Sequence, residues 1–184
     1  MATMIQTLNE LDELFADHIQ EMLGLQPEHV RIGYSETGQL APKYNETVIY
    51  VHTHQEDDDV DRYINTNEQK ELSGKFDVTV TAMRRLTLDI SVYGADCDVM
   101  AIKIRQRMFH ESSRIFLEEH NLALISNRTT MNNKIHELVN DRWWERVDLK
   151  IGFYNSVSVG EEVDPFEETK ISITADDIQI VIGG

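Results

Sequence analysis

The chain has 184 residues, 41% of them hydrophobic and 27% charged, the balance of a globular protein with a core rather than of a disordered one. Its net charge of −16 argues against a direct grip on nucleic-acid phosphates, which needs clustered Lys and Arg. No window approaches the roughly 18 uncharged apolar residues of a membrane span, and the lone Cys97 cannot form an internal disulfide. The first residues lack the basic and apolar regions of a signal peptide, so a cytoplasmic location is expected.

Thr7 and Glu10 form a capping-box pattern ahead of Leu8, Leu11, Leu14, Phe15, Ile19, Met22 and Leu23 at helical spacing, with Gly24 as a stop. This predicts an amphipathic helix over 8–23 whose apolar face packs into its own core. Short strands are expected at Val30–Tyr34 and Thr47–His54, separated by a loop with Gly38 and Pro42. Residues from about 55 to 74 read as a solvated acidic loop of weak pattern. From Phe76 to Tyr93 the apolar residues share one parity, and Arg84 alone interrupts them. A single strand of that length would span about 60 Å, too long for a compact domain. It is expected to bend near Met83-Arg84-Arg85 and to project at one end, paired antiparallel with a second long strand.

Gly94 ends the run, and Asp96 is placed to cap a helix from Cys97 to about His110, restarted by Ser112 or Ser113 through Glu119. A short strand follows at Asn121–Ile125. The second long strand is Trp143–Val159, with Trp143, Val147, Leu149, Ile151 and Phe153 facing a core. Arg146, Asp148 and Lys150 face water, and Trp144 and Tyr154 fall among them. Large aromatics on a wet strand face point to protein–protein contact. Closing strands are expected at 170–174 and 177–182. The chain reads as one α+β domain over 1–184, with a mostly antiparallel sheet, helices on one face and a long, bent or projecting strand pair.

Asp57, Asp59, Asp61 and Glu68 match acidic positions of a calcium-loop template, but Arg62 stands where that loop needs glycine and the flanks are not helical. The expectation is a solvated loop with no metal. His52 and His54 share a strand face without a third ligand marked by spacing. There is no nucleophile elbow and no phosphate-binding glycine loop, and Cys97 lies between Asp96 and Asp98, which disfavour a thiolate. No cofactor is expected. Arg84, on the apolar face, either pairs with Glu145 across the two long strands or, with Arg85, meets a neighbouring subunit.

Val30-Arg-Ile-Gly-Tyr34 follows the N-terminal helix, and Leu88-Asp-Ile-Ser-Val-Tyr93-Gly94 leads into the Cys97 helix. With Asn121–Ile125 and Asp141-Arg-Trp-Trp-Glu-Arg-Val-Asp148 before the strand through Phe153, the chain resembles the tail terminator, or neck terminator, proteins of long-tailed bacteriophages over roughly residues 28–175. The acidic Glu56–Asp61 loop and the Gly-Gly end depart from the pattern. The resemblance implies a structural virion protein of the neck and not an enzyme. It implies a hexameric ring that caps the tail tube protein, joins head–tail connector proteins and passes DNA through an acidic lumen without binding it. Trp144 and Tyr154, then Arg84, Arg85 and Arg146, are the candidate interface residues. A head-side stopper or adaptor of the neck, a calcium-regulated binding module on Asp57–Glu68 and a small hydrolase stay open as alternatives.

Overall fold

A computed structural model describes residues 7–34, 43, 46–57, 64–70, 76–139, 141–163, 173–175 and 178–180. The first helix, α1 (Leu8–Leu23), starts with the expected capping box: Glu10 N–H donates to Thr7 Oγ1 at 3.2 Å, and Thr7 N–H to Glu10 Oε2 at 2.7 Å. It ends at Gly24, whose φ of 65° suits the left-handed stop. The following elements are β1 (Val30–Ile32), β2 (Val48–Glu56), β3 (Ile64–Lys70), β4 (Phe76–Tyr93), α2 (Cys97–Met108) and α3 (Glu111–Glu119). After them come β5 (Leu122–Met131), β6 (Ile135–Val139), β7 (Arg142–Val163), β8 (Ile173–Ala175) and β9 (Ile178–Ile180).

The alternation in the two long segments produces the central ladder: β4 and β7 pair antiparallel from Phe76↔Val163 to Tyr93↔Arg146. Shorter strands share their outer sides in tandem. Along β4, β3 covers Phe76–Ala82 and β2 covers Arg85–Tyr93. Along β7, β6 covers Arg142–Arg146 and β5 covers Leu149–Asn155. β1 adds to β2 in parallel, giving a seven-stranded sheet. Beyond β1, the Asp12 carboxylate of α1 accepts the Thr53 N–H on the same side of β2.

One face of the sheet carries the core. Ile49 and Val51, Leu86 to Val92, and Val147 to Phe153 alternate inward to meet Leu11, Phe15 and Ile19 of α1, Ala101, Ile104 and Met108 of α2, and Leu117 of α3. Phe15 and Phe153 lie ring to ring at 4.9 Å. Burial stops at Leu86 on β4 and Asn155 on β7: none of the side chains from Val78 to Arg85, or from Ser156 to Gly160, is buried. The first half of β4, with β3 and the end of β7, is thus a three-stranded arm outside the core.

Several expectations need correction. The stretch assigned to an acidic loop contains the end of β2 and all of β3, whose sequence, Ile-Asn-Thr-Asn-Glu-Gln-Lys, lacks apolar alternation because it pairs outside the core. β5 runs on to Met131 through a bulge at Ser126-Asn127-Arg128, which breaks the parity by which a strand is read. β6, Ile-His-Glu-Leu-Val, likewise lacks apolar alternation. Asp96 occupies the cap position of α2 without a side-chain bond, and Asp98 Oδ1 instead accepts from Val99 N–H at 2.9 Å. α3 is capped by His110, not Ser112 or Ser113. The final strands, β8 and β9, pair with each other as a separate hairpin.

Gly94 turns β4 into α2 at a φ of 114°, and a Cβ there would stand 2.8 Å from the Glu46 carbonyl oxygen and 2.9 Å from Thr47 Cα. Both atoms belong to backbone and cannot swing away. Gly94→Ala is expected to cost about 2 kcal/mol or more in chemical denaturation, combining backbone strain with overpacking.

Between α1 and α3, buried His18 stacks on Phe116 with ring centroids 3.8 Å apart, and its Nε2 is hydrogen-bonded to Ser113 Oγ at 2.9 Å. Burial pushes the imidazole below its ordinary 6.5; Glu21 opposes this and His120 adds to it. The unfolded chain takes up the proton at the ordinary value while the folded chain resists it. Stability is therefore full above pH 6.5 and falls as pH drops from there through the lowered folded-state value. Melting at about pH 5.5 should come earlier than at about pH 7.5, and His18→Gln should flatten that difference.

The open face of the sheet as candidate functional site

The strand residues that alternate away from the helices form a second, open face. Tyr50 and His52 of β2, Asp89, Ser91 and Tyr93 of β4, and Trp144, Arg146, Asp148 and Lys150 of β7 line a cleft of about 870 Å³ there, with Gly33 and Tyr34 at the end of β1. Tyr34 meets the His52 ring edge-on at 5.1 Å, and Tyr50 meets Tyr93 likewise at 5.8 Å.

Arg146 organises one wall. Its Nη1 donates to Glu137 Oε2 of β6 at 2.7 Å and to Tyr93 Oη at 3.1 Å, and its Nη2 donates to Asp148 Oδ2 at 3.1 Å. Tyr93 Oη in turn donates to Glu137 at 3.1 Å, and Ser91 Oγ to Asp148 Oδ1 at 2.8 Å. Burial alone works against the Arg146 charge, but Tyr93, Asp148 and Glu137 outweigh it and hold the guanidinium above its usual range. Burial also raises the Tyr93 phenol, with Glu137 adding to it and Arg146 opposing. This wall is a fixed cation clamped between carboxylates on two strands.

A second cluster lies farther along the same face, toward the arm. Thr87 Oγ1 donates to Glu56 Oε1 at 2.7 Å, and Arg85 and Arg128 both reach Glu56 Oε2, at 2.8 and 3.1 Å. The Thr87 hydrogen bond and the two guanidinium groups keep the Glu56 carboxyl below its ordinary range. The bulge in β5 carries Arg128 across the face, and Gly152 gives it passage: a Cβ on Gly152 would stand 3.0 Å from Arg128 Cβ.

Trp144 is half-buried in the cleft wall, and Tyr154, also half-buried, lies level with Arg85 on β4 and Ala123 on β5. Trp143 does not anchor the core. It is 62% exposed, although it shares the parity of Val147, because the core ends at Val147 while the β6–β7 hairpin continues. Arg84 faces the core side as expected, but its partner is not Glu145. Its Nε donates to Asn155 Oδ1 at 2.8 Å, directly opposite in the ladder, and buried Asn155 donates on to the Asn121 carbonyl. Glu145 lies at the far end of β7 and holds Lys134 at 2.9 Å.

Of the calcium-template residues, Asp57 is exposed just after β2 and Glu68 belongs to β3, where the template requires a helix; Asp59 and Asp61 lie outside the described residues. His52 Nδ1 approaches Asp12 at 3.4 Å and His54 Nδ1 approaches Asp89 at 3.2 Å. No group of three or more metal-ligating side chains occurs among the described residues. Cys97 is buried and its thiol is pushed up, first by burial and then by Glu145 and Asp98. Such a thiol is a poor nucleophile. Among the described helices, none is long and apolar enough to cross a membrane. Tyr50 and Glu137 carry no signal in the sequence expectations, and Tyr93 enters them only as the end of the long strand before Gly94. The parity that marked Trp144 also marks Tyr50 and Tyr93 on their strands, whereas Glu137 sits in the hairpin strand that alternation did not reveal.

Removing Arg146 leaves Glu137 and Asp148 facing each other without a cation. Arg146→Ala is expected to cost about 2 kcal/mol and to speed amide exchange in β6 while leaving β2 protected.

No curated protein matches the chain. A family model described as phage neck terminator protein matches residues 9–178, from α1 to the start of β9. With the match covering nearly the whole chain and the α+β architecture in place, the protein belongs to the phage neck terminator family, structural proteins of the phage neck.

Proposed function

We propose that copies of this chain form a hexameric ring that caps the completed tail tube, joins it to the head–tail connector and lets DNA pass through its centre. The observation that carries this reading is the three-stranded arm. Among the described residues, β3 and the Val157–Val163 part of β7 each pair with β4 alone, so strand edges lie on both sides of the arm. An exposed edge is a template for a further strand. Two different edges on one subunit meet the demand of a head-to-tail ring, in which every copy presents two unlike surfaces.

Membership of the phage neck terminator family supports this reading, since it implies association with other tail and neck proteins. The net charge of −16 suits a lumen that repels DNA phosphate instead of holding it. On the open face, Trp144 and Tyr154 are the aromatic anchors for a neighbouring subunit, with Arg85 and Arg146 as the charged groups beside them. Arg84, bonded to Asn155, belongs to the subunit's own packing.

Size exclusion with light scattering, followed by negative-stain imaging, should give an annulus with a central hole, alone or on the ends of purified tail tubes. A protein that stays monomeric and also fails to bind tube ends overturns the reading. Binding to connector particles but not to tube ends would instead favour a head-side stopper.

A further inference from the structure

The β6–β7 hairpin has two unlike sides. Toward the cleft it presents Trp144 and Arg146. On its other side, Leu138 and Trp143 stand opposite each other in the ladder and are 55% and 62% exposed. Two large apolar side chains held side by side on a rigid ladder, beyond the last core residue, form a knob.

We infer that the Trp143–Leu138 knob of one copy inserts into the open-face cleft of the next, so that this contact, as well as the arm, joins neighbours in the ring. The inference rests on the ring reading above. Two observations support a second copy as occupant. The cleft volume of about 870 Å³ lies within the range that accepts a group of this size, and its walls include Tyr34, Tyr50, Tyr93 and Trp144. Charge does not oppose the fit. In a chain of net charge −16, the cleft is locally balanced, Arg142, Arg146 and Lys150 standing against Asp89, Asp148 and Glu137, whereas Asp98 and Glu145 outnumber Lys134 on the other side of the hairpin. Finally, knob and cleft lie on opposite faces of the same sheet, so each copy carries both halves of a contact that can propagate head to tail but cannot satisfy itself.

A mixing experiment separates this contact from any other. Trp143→Glu removes the knob, and Ser91→Trp fills the cleft. Each variant, confirmed folded by circular dichroism and melting, should fail to assemble alone. Mixed in equal amounts they should give dimers that do not close into rings, the intact knob of the second seated in the intact cleft of the first. Rings from Trp143→Glu alone, or a mixture of two folded variants that stays monomeric, overturn the inference. Acrylamide quenching of the wild-type tryptophans supplies a test without variants: it should drop several-fold on assembly, and unchanged quenching in assembled rings overturns the contact while leaving the ring reading intact. A wild type that makes neither rings nor tube-end complexes overturns both.

Discussion

The pairing of β4 with β7 along all of β4 is the constraint on which the rest of the structure depends. Two strands of this length, about 60 Å at 3.3 Å per residue, outrun what three short helices can cover. The helices bury one face of the ladder from Leu86 and Phe153 to Val92 and Val147, and both ends are left over. One end becomes the arm with β3, and the other becomes the hairpin with β6. Tandem short strands on either side of the ladder follow from the same mismatch, since no neighbouring strand spans its whole length.

The faces of the ladder are stabilised by different means. On the helix side apolar burial dominates, and the polar intrusions are handled locally: Arg84 is bonded to Asn155, Asn155 to the Asn121 carbonyl, and Glu145 to Lys134. On the open side the strands are tied by charge-assisted hydrogen bonds, Arg146 joining β7 to β4 and β6, and Glu56 joining β2 to β4 through Thr87 and to β5 through Arg128. Such bonds are about twice as strong as neutral ones. They also leave aromatic rings standing at the surface, an arrangement suited to recognition and assembly more than to chemistry. A structural protein of the phage neck has this need: a surface open to association with other tail and neck proteins.

Much of the fold and part of the site were legible in the residues. Strict alternation located both long strands, with β4 bounded by Phe76 and Tyr93, and the Thr7–Glu10 box with Gly24 delimited α1. Alternation failed for β3 and β6, and the reason is common to both. Each pairs with a ladder end outside the core, so neither has an apolar face for a periodic pattern to report. The bulge at Ser126-Asn127-Arg128 hid the second half of β5 by shifting its parity, and with it the path of Arg128 to Glu56.

The sequence by itself determined the class of fold, the two long strands, the helical face that covers them and which side chains share a strand face. Period and capping are local properties, set by the chain's geometry. Only the tertiary structure decided where burial begins and ends along each strand. Trp143 and Val147 share one parity, yet Val147 is in the core and Trp143 is in solvent, because helices reach the first and not the second. Pairing of charges was decided in the same way: Arg84 and Glu145 both interrupt apolar faces, but the register sets them at different levels of the ladder and gives each its own partner.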